Sequence, residues 1–167
     1  AGLVNAAAPL EAAIADPSGF CVEPEPNYMQ VYARMYKLQA FHSLSQHPQL
    51  TGLVERMAGE PLLPHPNIIG RTIFPNRESY TTPPHQDFIP IQGTPDTYTA
   101  WFPLNDLPEQ MGGLELRAGS HRHGLYKFKP ALGAGGTTIT DELPGYWVNG
   151  VLEQGDVLFF HSYTVHQ

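Results

Sequence analysis

Thr82-Pro83-Pro84-His85-Gln86-Asp87-Phe88 is the stretch on which the reading of this chain turns. In an extended segment residues i and i+2 point to one side, which aims the His85 imidazole and the Asp87 carboxylate at one point. Together they make two of the three ligands in the two-histidine, one-carboxylate set that holds ferrous iron on one face at non-haem sites. The third ligand would be a histidine far along the chain, and the last ten residues carry His161 and His166. A short motif recurs by chance, and His85 and Asp87 could also form a polar turn after the prolines. The weight therefore falls on what surrounds the motif.

Around it the pattern is that of strands. Residues 67–74 and 97–104 are rich in β-branched and aromatic side chains. Residues 113–117, 146–152 and 157–161 follow as further strand candidates, separated by Gly, Pro, Asn and Asp clusters. The 17 prolines, about twice the usual share, and 16 glycines describe a chain that turns often. Upstream the period changes. Residues 1–26 are alanine-rich and then proline-rich, a short helix followed by a connector. Met29, Tyr32, Met35, Tyr36 and Leu38 recur at helical spacing and predict a helix within 27–47. Pro48 breaks it, and Leu50, Leu53, Val54 and Met57 predict a second helix over 49–58 that ends at Gly59. The expected fold is mainly β with an α-helical N-terminal part. Its strands would close as a jelly roll, a cupin-like double-stranded β-helix whose cavity can hold a metal. Residues 1–60 would be a helical lead packing on the barrel, and 61–167 the jelly-roll core.

Sixteen acidic against nine basic residues give a net charge of −7, which speaks against a nucleic-acid surface. Arg117, Arg122, Lys127 and Lys129 gather locally and could meet an anionic substrate, although a solvated loop is the simpler reading. Cys21 is the only cysteine, so no disulfide framework or cysteine-based zinc site is expected, and a reducing, cytoplasmic setting is the default. No apolar run approaches the roughly 18 residues of a membrane span. The chain begins at Ala1 and stops at Gln167, and reads as a piece of a longer protein, truncated at its C-terminus.

Other motifs are weaker. Gly155-Asp156 is turn chemistry opening the last strand, which makes Asp156 structural. Five residues separate His161 from His166, so a continuous strand would put them on opposite faces and let only one reach a metal. His121-Arg122-His123 also aims two imidazoles one way, but it is bounded by glycines, lacks a carboxylate partner and reads as a loop. Gly133-Ala134-Gly135-Gly136 lacks the strand and helix of a phosphate-binding loop. His42, His47 and His65 read as surface residues. No G-x-S-x-G supports a hydrolase nucleophile.

Four segments occur in one order: His85-Gln86-Asp87, Ala100-Trp101-Phe102-Pro103-Leu104, Gly112-Gly113-Leu114-Glu115-Leu116-Arg117-Ala118-Gly119-Ser120-His121, and Gly155-Asp156-Val157-Leu158-Phe159-Phe160-His161 through His166. In this order they resemble the phytanoyl-CoA dioxygenase family of iron(II)- and 2-oxoglutarate-dependent oxygenases, from about Leu63 to the end. The resemblance implies a jelly-roll core with His85, Asp87 and His166 as the iron ligands and catalytic centre. His161 matches a position that is often histidine without being a ligand. Arg71 and Trp101 fall where the family lines its 2-oxoglutarate pocket. The family usually has proline where this chain has Ala118. It also carries an arginine about ten residues beyond the distal histidine, paired with the far carboxylate of 2-oxoglutarate, a position beyond Gln167.

The implied activity is hydroxylation of a small-molecule or acyl substrate with oxygen, coupled to decarboxylation of 2-oxoglutarate to succinate and carbon dioxide. Related halogenases have a small residue in place of the carboxylate, so Asp87 points to hydroxylation. The alternative is a non-catalytic metal-binding module of the same fold. A zinc hydrolase using the same ligands would lack a general base.

Overall fold

A computed structural model describes residues 32–71, 81–131 and 136–167. The alanine-rich leader, Cys21, Met29, residues 72–74 of the first expected strand and glycines 133 and 135 of the glycine-rich run lie outside the described residues. The chain divides into two units, Ala1–Thr72 and Ile73–Gln167.

In the first unit the helix expected over 27–47 is interrupted. Residues 32–35 make a helical turn, Leu38 is extended at φ −79° and ψ 122°, and helix α1 runs only over Gln39–Ser45. The break has a tertiary cause. The Tyr36 hydroxyl donates to the Ile68 carbonyl, and the Tyr36 carbonyl is held by His42 Nε2 at 2.7 Å rather than continuing a helical ladder. Helix α2, Pro48–Ala58, matches its expectation closely. Proline sits in its first turn, where a missing N–H costs nothing. Gly59 closes it in the left-handed conformation (φ 78°), its N–H donating to Glu55 O at 2.8 Å. His42, His47 and His65 are exposed.

The second unit starts its described part with the H-x-D motif, followed at once by the one-turn helix α3, Phe88–Ile91. Strand β1 (Tyr98–Trp101) pairs antiparallel with β6 (Leu158–His161), Thr99 opposite Phe160 and Trp101 opposite Leu158. β2 (Leu116–Arg117) pairs with β5 (Trp147–Val148), and β3 (Phe128–Pro130) with β4 (Thr137–Ile139). Each of these sheets has two strands.

Four expected strands are present in shortened form, whereas residues 67–71 form none. β3, β4 and α3 fall outside the segments in which strands or helices are expected from sequence. β3 is exposed throughout and ends in proline, so it has no buried face to give it a period-2 signal. Arg117 is already engaged: it donates from Nε to Pro144 O at 3.0 Å and from Nη2 to Leu143 O, and lies over the Trp147 ring. Among the described residues no helix is long and apolar enough to cross a membrane.

Candidate metal centre

Most of the buried side chains in the second unit are polar. Leu107, Phe160 and Val165 are buried, but so are His85, Gln86, Asp87, Ser120, Ser162, Thr164 and His166. Burying so many polar groups is costly unless each finds a partner. The hydrogen bonds show how they are partnered.

His85 and His166 exchange both backbone hydrogen bonds, each N–H to the other's carbonyl at 3.0 Å. Directly opposed residues of an antiparallel pair carry their side chains on one face, so this bridge alone brings the two imidazoles together. Their ring centroids are 4.2 Å apart. Asp87 joins them from a different backbone state. It has φ −61° and ψ −30° at the start of α3, so the motif converges where an extended segment turns into a helix. The continuous extended reading of His85-Gln86-Asp87 is corrected on that point.

Asp87 Oδ1 lies 3.5 Å from His85 Nε2 and 3.4 Å from His166 Nε2. Its Oδ2 accepts a hydrogen bond from the Thr99 hydroxyl at 2.7 Å. Burial acts to raise the Asp87 pKa, but the His166, His85 and Thr99 contacts outweigh it and hold the carboxyl well below the usual carboxylate range. The outer ring nitrogens are also engaged: His85 Nδ1 faces Pro83 O at 2.9 Å, and His166 Nδ1 faces Thr164 O at 3.0 Å. A carbonyl can only accept, so each Nδ1 carries the proton. In the neutral rings both Nε2 lone pairs then point toward an ionised carboxylate oxygen. Three converging lone pairs repel one another unless positive charge lies between them, either protons on the imidazoles or a metal ion. Among the described residues this trio forms a group able to hold a metal ion, its candidate ligand atoms all within 4.8 Å of one another. The donor set fits a divalent transition metal, with carbonyls behind the histidines as is usual for ligating imidazoles.

The segment bearing His166 is tied down almost atom by atom. Ser162 N donates to Thr97 O (2.8 Å), and Arg117 N to Val165 O (2.8 Å). Gln167 and Glu115 exchange backbone bonds at 3.0 Å. The fully buried Ser120 accepts from Val165 N at 2.8 Å. Gly119, at φ 76°, supplies the left-handed residue that opens the 3-10 turn Ser120–His123. The Gly-Ser-His stretch therefore positions the distal histidine, and its own histidine takes no part: His121 and His123 are exposed. Phe160 packs its ring 4.8 Å from that of His166.

The remaining candidates lie elsewhere. His161 ends β6, with Nε2 4.0 Å from Asp96 Oδ1 and its ring against Tyr98, Tyr163 and His121. Trp101 stands two positions along β1 from Thr99, so both side chains share the strand face that meets Asp87. Arg71 is an exposed residue at the end of the first unit, where its charge acts on the Tyr36 hydroxyl. Asp156 closes its turn, Oδ2 accepting from Glu153 N at 2.8 Å. Sequence reasoning passed over Thr99, Ser120 and Gln86. The only available signal for Thr99 was a polar residue in register with Trp101.

Short antiparallel strands thus bring together a buried group of two histidines and one carboxylate able to hold a metal ion. The family model for phytanoyl-CoA dioxygenase (PhyH) matches residues 6–167, and the chain belongs to that family. Its relatives include two proteins named 1-deoxypentalenic acid 11-beta-hydroxylase. The one from Streptomyces exfoliatus is 26% identical over 155 residues, covering 80% of this chain and 51% of the relative. The one from Streptomyces arenae is 27% identical over 149 residues, covering 76% and 49%. The chain thus spans about half the length of the curated relatives it matches.

Proposed function

We propose that this chain carries the core of an iron(II)- and 2-oxoglutarate-dependent oxygenase. It would hydroxylate a small-molecule or acyl substrate, with succinate and carbon dioxide as co-products. The observation that carries this reading is the convergence of His85 Nε2, His166 Nε2 and Asp87 Oδ1 in a buried site. Family membership and the hydroxylase names of both relatives support it. In this reading residues 61–167 are a jelly-roll core and residues 1–60 its helical lead.

Bound at this site, iron with 2-oxoglutarate and oxygen supplies the oxidising power for C–H hydroxylation. The chain's own residues do the rest. His85 and His166 donate Nδ1–H to backbone carbonyls, which turns Nε2 of each ring inward as the nitrogen that would bind the metal. Thr99 donates to Asp87 Oδ2, so Oδ1, the oxygen nearer the two Nε2 atoms, would be the one offered to a metal. A metal ion held by these three side chains alone would have room for cosubstrate and oxygen. Phe160 backs His166 with an apolar ring that limits water on that side. Trp101 is assigned to the 2-oxoglutarate site on the family resemblance.

The test is an anaerobic iron(II) titration with and without 2-oxoglutarate, followed by admission of oxygen and measurement of succinate. A visible charge-transfer band that needs both components, and succinate on oxygenation, are expected. Iron bound with neither band nor succinate would favour a non-catalytic metal-binding module.

A further inference from the structure

Gln86 stands between two of the proposed ligands, yet its side chain is committed elsewhere. It is fully buried, at 0% exposure. Its amide makes three hydrogen bonds, all to backbone: Nε2 donates to Gly124 O at 2.9 Å and to Tyr163 O at 2.6 Å, and Oε1 accepts from Tyr126 N at 2.9 Å. The partners come from two separate segments. Tyr163 belongs to the turn between β6 and His166, and residues 124–126 lead into β3. One side chain thus joins the His85–Asp87 segment, the segment that delivers His166, and a loop that contains none of the proposed ligands.

The chemistry of this joint is specific to a primary amide. Both Nε2 protons are used on carbonyls, and the carbonyl oxygen is used on an N–H. A glutamate carboxylate can accept from Tyr126 N but has no proton for Gly124 O or Tyr163 O, and would press an anion against two carbonyl oxygens. A methionine of similar shape keeps the packing and makes none of the three bonds.

We propose that Gln86 is a positioning residue: it fixes the His166 segment relative to His85 and Asp87, and it couples metal binding to the order of residues 124–126. The proposal rests on the metal-centre reading above. On this account a metal ion that locks His85 and Asp87 also locks the amide between them. The Tyr126 N–H should then become harder to open, although its acceptor is Gln86 and not a proposed ligand.

The experiment uses cobalt(II) as the metal probe, read by its visible ligand-field spectrum, on the native chain, Gln86→Glu and Gln86→Met. Circular dichroism serves as the check on folding. Hydrogen exchange across residues 124–126 is followed in the native chain with and without the metal. We expect Gln86→Glu to bind about 10- to 100-fold more weakly, the usual effect of losing an outer support of a metal site. Its spectrum should be altered and Gln86→Met should fall between. Exchange at Tyr126 should slow when metal is added to the native chain. Folded variants with native affinity and spectrum would overturn the role of Gln86 while leaving the metal centre standing. If the variants do not fold, the native chain decides: metal-linked slowing at Tyr126 supports the coupling, and unchanged exchange overturns it. Failure of the native chain to bind cobalt would remove the metal centre and this proposal together.

Discussion

His161 and His166 lie five residues apart, one ending β6 and the other beyond the turn that follows, and their surroundings give them opposite chemistry. His166 Nδ1 faces the Thr164 carbonyl, so Nδ1 carries a proton and Nε2 is the nitrogen turned toward buried Asp87. His161 Nδ1 instead accepts the Tyr163 N–H at 3.0 Å, which leaves the proton of the neutral ring on Nε2. That nitrogen looks toward Asp96, whose side chain is 87% exposed and 4.0 Å away. Burial first, and then His121, lower the His161 pKa, with Asp96 opposing. The backbone thus fixes Nδ1 of one imidazole as a donor and Nδ1 of the other as an acceptor. The difference lies in which partner each Nδ1 finds, a carbonyl or an amide.

Substitutions around the two histidines should break this contrast in a fixed order. Asp87→Ala removes the buried carboxylate of the trio and leaves the two imidazoles facing each other without it. Metal affinity should fall by more than about 100-fold, beyond the usual effect of outer-sphere changes, as read by calorimetric titration with iron(II) under anaerobic conditions. His166→Ala should follow closely, with loss of metal-dependent succinate formation.

Thr99→Val keeps the shape of β1 but frees Asp87 Oδ2. A fall of about tenfold in metal affinity is expected, with a changed cobalt spectrum as the carboxylate gains freedom to bind through both oxygens. Ser120→Ala leaves the Val165 N–H buried without its acceptor, which should cost about 1–3 kcal/mol of stability in denaturant unfolding. The smallest effect belongs to His161→Phe, which keeps the ring contacts to Tyr98 and Tyr163. It should leave metal affinity unchanged.

The sequence made some of this arrangement legible and hid other parts for physical reasons. β1 and β6 were readable because β-branched and aromatic residues fill them, and the H-x-D motif by its residue types, although its side chains converge at the turn into α3 and not along a continuous strand. β3 escaped because a three-residue exposed strand has no alternation to detect. Strand periodicity could not choose between His161 and His166. β6 stops at His161, and the turn that follows resets the direction of every later side chain. Family resemblance favoured His166, and the geometry brings that residue to His85 and Asp87. Gln86 was invisible for a different reason. Its partners are backbone groups of residues 124, 126 and 163, and nothing in a sequence announces a hydrogen bond to a distant carbonyl.

The most direct test sets the two histidines against each other: anaerobic iron(II) binding to His161→Ala and His166→Ala, measured beside the native chain. The account predicts native stoichiometry and affinity for His161→Ala and no tight binding for His166→Ala. Equal loss in both, or loss confined to His161→Ala, would contradict it.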